Sequence, residues 1–200
     1  MKHSTIKILL AAAISLGIPA LAHADTWQID PAHTNVEFTV RHLMISNVKG
    51  SFEKVSGTVT VGEGPTTATI DATIDAASVN TRVPKRDEDL KGPNFLDVAK
   101  FPTITFKSTK IEQAGTAKWK VTGNLTLHGV TKEVVLDVDG PTAPIKDPFG
   151  NTRAGASATT KIDRRDFGLT FNKALETGGV MVGDDVAISI DVEALKKTGP

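Results

Sequence analysis

Beyond its first two dozen residues the chain carries three histidines, His33, His42 and His128, and three imidazoles can hold a zinc ion that keeps an open position for water. Their spacing opposes a shared metal. Positions 33 and 42 differ by an odd number, so on one unbroken strand they point to opposite faces, while His128 falls on the polar face of its own strand. Hydrogen-bonded structural histidines account for them more simply. A serine nucleophile has no better support: no G-x-S-x-G occurs, and the pattern sets no histidine beside Ser46, Ser51, Ser56 or Ser157. Asp166-Phe167-Gly168 spells a kinase metal-binding triplet, but neither an HRD loop nor a glycine-rich ATP loop accompanies it. Gly62 and Gly64 begin a dinucleotide fingerprint that fails at Thr67, where the third glycine belongs. Asn124-Leu125-Thr126 fits a glycosylation sequon, yet Asn124 is accounted for as an outward strand residue. The residue types therefore predict no cofactor and no catalytic set, and the chain is read as a non-enzyme.

The elements around these residues are strands. In Lys120–Gly140, Val121, Gly123, Leu125 and Leu127 share one face, and Val134, Leu136 and Val138 share a face of a second arm across a turn at His128 and Gly129. The same two-residue period runs through Val36, Phe38 and Val40; through Ala68, Ile70, Ala72 and Ile74; and through Ile104 and Phe106. It returns in Ala154, Ala156, Ala158, Thr160 and Ile162, and in Val186, Ile188, Ile190 and Val192. Pro31 breaks the first segment into two short strands or one bent strand, and Gly62-Glu63-Gly64-Pro65 marks a hairpin turn. Between 80 and 100 the alternation stops in favour of short helical pieces. There Lys85 to Asp89 reads as a solvated helix face, while Phe95, Leu96 and Val98 need burial against an end of the core. Eight or more alternating segments without a βαβ rhythm predict an all-β protein, an antiparallel up-and-down barrel of about eight strands with a short helical insertion.

Composition sets the remaining bounds. Met1 to Lys7 is basic, Ile8 to Ala22 is apolar, and Ala22 and Ala24 are spaced as a cleavage site, so residues 1–24 read as a secretory signal that leaves 25–200 as one domain. Gly17 and Pro19 interrupt the run before it reaches membrane-spanning length, and no membrane anchor is expected. The mature chain sets 21 basic residues against 23 acidic ones, and a net charge of about −2 without a basic run argues against nucleic acid or anionic membrane as partner. With no cysteine, the exported chain relies on its core rather than on disulfides. Oligomeric state stays open, a homodimer included.

Small residues on the inward faces, Ala68, Ala72, Gly123, Ala154, Ala156 and Ala158, leave an unfilled lumen or the space for a plug such as the Phe95-Leu96 segment, or else answer to the taper of the barrel. Arg164, Arg165 and Asp166 suggest an ion-pair cluster at a strand end, followed by the apolar contacts Phe167, Leu169 and Phe171.

Five stretches, WQIDPAHTNVEFTVRH, NFLDVAKFPTITFKS, GNLTLHGVTKEV, RRDFG and VGDDVAISIDVEA, in this order, make the chain resemble the YceI-like family over nearly all of its mature length. The resemblance implies a lipocalin-like barrel whose elongated apolar cavity holds a polyisoprenoid or a similar chain, in proteins often exported to the periplasm and not known to share a catalytic set. Carried over by motif, the family's recurring positions are His33, Phe38, His42, Phe95, Asp97, Pro102, Leu125, Thr126, His128, Gly129, Arg165, Phe167 and Gly168. Val55, Leu96 and Phe101 depart from the aromatic or tyrosine residues frequent there. On this reading the ligand-binding residues are Phe38, Val40, Ile70, Ile74, Phe95, Leu96, Phe106, Trp119, Leu125, Ala156, Ala158, Phe167 and Ile188. The expected function is binding or transport of a long apolar chain in the periplasm. The alternatives are a metal-dependent enzyme using the histidines and a fully packed structural or stress-related accessory protein.

Overall fold

A computed structural model describes residues 24–176 and 178–197. The segment read as a secretory signal lies outside the described residues, apart from Ala24. Twelve strands follow in chain order: β1 (Asp25–Ile29), β2 (Asn35–His42), β3 (Ser46–Phe52), β4 (Val55–Val61), β5 (Thr69–Asp75), β6 (Val79–Asn80), β7 (Thr103–Gly115), β8 (Lys118–Leu127), β9 (Val130–Asp139), β10 (Ile145–Lys146), β11 (Thr152–Asp163) and β12 (Val182–Lys196). One helix, α1 (Pro84–Lys91), lies between β6 and β7.

Eleven of these strands make eight staves, because three staves are each bent into two strands, and the two-residue β10 lies outside them against the start of β11. The long strand β12 pairs along one edge with β2 and then with β1, and along the other with β11. β1 continues to β4 and β5, β2 continues to β3 and β6, and the two branches rejoin through the connected pairs β3/β4 and β5/β6. From β5 the wall runs through β7, β8 and β9 to β11, which closes it on β12. Every pairing is antiparallel, and the staves pair with those adjacent in sequence, apart from the closure of the first stave on β12, so the barrel is the up-and-down kind that its alternating segments predict.

Local chemistry explains the bends. After β1, the Asp30 carboxylate accepts the Ala32 N–H at 3.0 Å and its carbonyl accepts the His33 N–H at 3.2 Å, so the Asp-Pro step turns the chain before β2 begins. Between β3 and β4, the Ser78 hydroxyl accepts the Lys54 N–H at 3.1 Å while its carbonyl accepts that of Glu53. The segment 50–61 is thus a bent stave, and the Gly62–Pro65 turn after it makes the hairpin, joining β4 to β5. The His128-Gly129 turn has φ of 52° and 74°, the left-handed pair that a two-residue hairpin twisting with its strands requires.

The core is concentrated at one end. Ala76, Val79, Leu96, Ile104, Leu127, Ile162, Phe167 and Leu169 form a buried cluster where β7 and β9 start and β8 and β11 finish. The 81–102 connection closes this end. Its helix buries no residue, as a solvated charge run predicts, but Asp87 Oδ1 accepts the Thr81 N–H and hydroxyl, and Arg86 Nε donates to the Thr81 hydroxyl at 2.8 Å. The connection is thereby tied down, and it delivers Leu96, 9% exposed, into the cluster.

Candidate ligand-binding site

Cross-strand register identifies the inner face all the way round. Trp27 stands opposite Val59, Val59 opposite Ile70, Ala72 opposite Phe106, and Phe106 opposite Leu125. Trp119 stands opposite Val138, Val138 opposite Ala158, Ala158 opposite Ile190, Ile188 opposite Phe38, and Val40 opposite Val186. Since directly paired residues share a face, a largely apolar surface lines the barrel, interrupted by Lys132 opposite Leu125 and by Lys196 opposite Trp27.

That surface is covered to different degrees along the axis. Near the closed end Ile104, Leu127 and Ile162 are 7–9% exposed and Phe167 only 2%. Ile74 and Val40 stand level with these floor residues, Ile74 being paired with Ile104 and Val40 with Val186, itself paired with Ile162. They and, farther along, Phe38, Ile70, Phe106, Trp119, Leu125, Ala156 and Ile188 are only half-buried although they point inward, with Phe38, Ile74, Leu125 and Ile188 packed against the buried cluster. An inward side chain that solvent still reaches is not fully covered by protein atoms, so the inner face above the apolar floor is less tightly covered than the floor itself. From Trp119 to Leu127 the wall of β8 is about 26 Å long along the strand and, at a typical barrel tilt, about 20 Å along the axis.

The residues expected to bind ligand fall into three groups. The nine half-buried side chains just named face the lumen; Leu96, Ala158 and Phe167 are buried, with Leu96 and Phe167 in the floor; and Phe95 packs edge-on against Phe171, ring centres 5.2 Å apart. Trp27, Val59, Leu136 and Val192 also face inward without being among the ligand-binding residues expected from the sequence, although Leu136 and Val192 belong to its alternating rows and the alternation of Trp27 with Ile29 carried the same signal. Small residues do not all enlarge the lumen. A Cβ at Gly123 would overlap the Phe106 ring, and one at Gly50 would lie 2.8 Å from Phe38 Cε1, so these two glycines let aromatic rings lie flat against the wall.

The histidines occupy three separate settings. His33 lies in the β1–β2 bend, where Nδ1 is 2.9 Å from Asp30 Oδ2; His42 ends β2; and His128 is in the β8–β9 turn, with Nδ1 3.3 Å from the Phe167 carbonyl and its ring edge-on to Phe101 at 4.6 Å. Among the described residues the group spaced to hold a cation is Asp30, His33 and Glu193. A cation is already there: Arg153 Nη1 lies 2.6 Å from Asp30 Oδ2 and 2.5 Å from Glu193 Oε1, while its Nε donates to Asp147 at 2.7 Å. Hydrogen bonds from His33 and Arg153 pull the Asp30 carboxyl down to about 2, and Arg153 likewise holds Asp147 well below the usual carboxylate range. These groups project from the outer face, since Arg153 is in register with Leu195 and Gly155 with Glu193, one residue out of phase with the lumen row. They fasten the 140–151 loop to the barrel.

A second polar cluster sits at the closed end, where the sequence suggested one. Arg164, 4% exposed, donates to the carbonyls of Gly183 at 2.9 Å and of Leu169, and burial pulls its pKa below the ordinary arginine value. Arg165 pairs with Asp163 and Asp184 at 3.4 and 3.3 Å. With its donors directed at main-chain oxygens, Arg164 has a structural role.

A closed antiparallel up-and-down barrel with an apolar inner face has the architecture of the lipocalin-like class. Residues 27–194 match the YceI-like domain. A UPF0312 protein of Vibrio cholerae serotype O1 is 36% identical over 172 residues, covering 84% of this chain and 89% of its own length. A UPF0312 protein of Staphylococcus aureus is 38% identical over 168 residues, covering 82% and 94%. The chain belongs to the YceI-like family.

Solved structures agree on the fold. A Campylobacter jejuni YceI protein superposes with a TM-score of 0.65 at 35% identity, covering 78% of this chain and 90% of that one. Burkholderia cenocepacia BcnA gives 0.70 at 23% identity, covering 82% and 98%. A polyisoprenoid-binding domain from Saccharophagus degradans, implicated in plant cell wall breakdown, gives 0.62 at 16% identity, covering 86% and 98%. The last two likenesses concern the fold alone.

Proposed function

We propose that this protein binds and carries a long apolar chain, a polyisoprenoid or a similar lipid, in the barrel lumen, and that it does so in the periplasm after removal of residues 1–24. The observation that carries this reading is the partial exposure of inward-facing Ile70, Phe106, Leu125, Ile188 and their neighbours, which leaves the apolar inner face less tightly covered than the packed floor. Burial of an apolar chain contributes about 0.8 kcal/mol per CH₂, so such a surface gains affinity from length and shape without many polar contacts. The lining comprises Phe38, Val40, Ile70, Ile74, Phe106, Trp119, Leu125, Ala156 and Ile188, with Trp27 near the rim; Leu96 and Phe167 form the floor, and Ala158 is a recessed wall position. The polyisoprenoid-binding domain that shares the fold lends the choice of ligand class its support. Binding and carriage call for no catalytic residue, and Arg153 standing among Asp30, His33 and Glu193 weighs against a zinc enzyme built on that group.

Native mass spectrometry of protein purified from its own host, followed by organic extraction, tests the proposal. The expected result is a co-purifying apolar molecule, together with saturable uptake of a fluorescent prenyl chain by the emptied protein. Neither bound lipid nor uptake would overturn it.

A further inference from the structure

The 140–151 loop does something unusual for a surface loop: it fixes apolar side chains in water. Phe149 is 89% exposed and Ile145 64% exposed, the former more than any other large apolar residue singled out on the surface. This exposure is built in. Asp147 Oδ1 accepts the N–H groups of Phe149 and Asn151 at 2.9 and 2.8 Å, while Oδ2 accepts the Asn151 amide at 2.9 Å and Arg153 Nε at 2.7 Å. The short pairing of β10 with β11 fixes Ile145 opposite Arg153. A loop whose backbone is held by these restraints has little further ordering to undergo when something covers its tip.

Its position gives the loop a use. It joins the last residue of β9 to the first of β11, at the end of the barrel remote from the buried floor, where β1 begins and β12 finishes and where Trp27 and Trp119 face inward. Trp119 Nε1 donates to the Gly140 carbonyl at 2.8 Å, linking the start of the loop to the lumen wall. We infer that the Ile145–Phe149 loop is a docking tip that inserts into the surface of a phospholipid bilayer and brings the lumen mouth against it. The inference rests on the lipid-carrier reading for its purpose, because an insoluble chain must reach the lumen from a lipid phase.

Charge places the binding on apolar insertion. Lys146 and Lys197 are exposed and outside any ion pair among the described residues, while Lys196 pairs with Asp25 and Lys118 with Asp139. The three carboxylates around Arg153 leave an excess of two negative charges behind the tip, which offsets the two free lysines, and exposed Glu63 in the β4–β5 turn at the same end leaves the rim about one charge negative. The rim is near neutral, so anionic lipid contributes little and salt does not release the protein.

Flotation with vesicles of phosphatidylethanolamine and phosphatidylcholine, and with the same lipids plus phosphatidylglycerol, tests this. The full mature protein is expected to float with both, at low and high salt. Phe149→Ser is expected to lower partitioning roughly ten- to hundredfold, the range for withdrawing one buried phenylalanine. Ile45→Ser removes an exposed apolar residue from the β2–β3 turn at the opposite end and is expected to leave flotation unchanged. Absence of flotation, flotation abolished by salt, or equal losses in the two variants would overturn the docking tip. Uptake of a prenyl chain delivered from detergent reads the carrier function separately: Phe149→Ser is expected to retain it. Wild-type uptake without flotation would leave the carrier standing and remove the tip, whereas flotation without uptake would do the reverse.

Discussion

The Phe106 ring lies over the bare backbone of Gly123, its diagonal neighbour on the adjacent strand, so closely that a Cβ there would come within 2.6 Å of both Phe106 Cε2 and the Lys107 carbonyl oxygen. The glycine gives up a side chain so that an aromatic ring can lie against the wall. Gly123→Ala is expected to destabilise the protein by about 1–3 kcal/mol through overpacking, and to weaken prenyl uptake by tipping Phe106 into the lumen. Urea denaturation and fluorescence titration check the two effects. Adding Phe106→Leu to Gly123→Ala is expected to recover part of the lost stability, a coupling that two independent substitutions would not show.

A hollow barrel and a packed one respond differently to an added side chain. Ala156 is inward-facing and half-buried. With free space beside it, Ala156→Leu is expected to leave the melting temperature nearly unchanged while reducing ligand capacity. In a packed interior the same change costs about 1–3 kcal/mol and lowers the melting temperature. Calorimetry beside a ligand titration separates the two.

The cluster around Arg153 predicts an acid-sensitive fastening for the 140–151 loop. The folded Asp30 carboxyl titrates at about 2, below its unfolded value of about 3.9. Its contribution is therefore fully present above the unfolded value and is lost as pH falls toward about 2. Asp147 shifts in the same direction. Asp30→Asn is expected to melt below wild type at pH 7, with the gap closing between about pH 4 and pH 2. A gap of constant size across that range would show that the charge of Asp30 does not contribute.

At the closed end, Gly129 has φ of 74°, and a Cβ there would lie 2.9 Å from Phe101 Cδ1. Gly129→Ala therefore combines a strained backbone with a clash and is expected to cost about 2–4 kcal/mol. His128→Ala loses its contact with Phe101 and its bond to the Phe167 carbonyl, for about 1–2 kcal/mol. Chemical denaturation should rank the glycine above the histidine, and His128→Ala should retain ligand uptake because His128 lies in a turn rather than on the lumen wall.

The sequence by itself determined the strands, their inward faces and one turn. Alternation sends Val121, Gly123, Leu125 and Leu127 inward because consecutive strand residues point to opposite sides, and His128-Gly129 can close the hairpin because its glycine accepts a left-handed conformation. Only the tertiary structure decided which edges meet, since pairing β12 with both β1 and β2 joins residues 140 to 169 positions apart and depends on the bend at Asp30. The same closure brings Asp30, Asp147, Arg153 and Glu193 together, a grouping that no local period encodes. Whether a small inward residue opens space was also a tertiary matter: Gly123 is covered by Phe106, whereas Ala156 borders the lumen. Composition names the residues on a face, but the volume left between faces depends on how side chains from non-adjacent strands lie against one another.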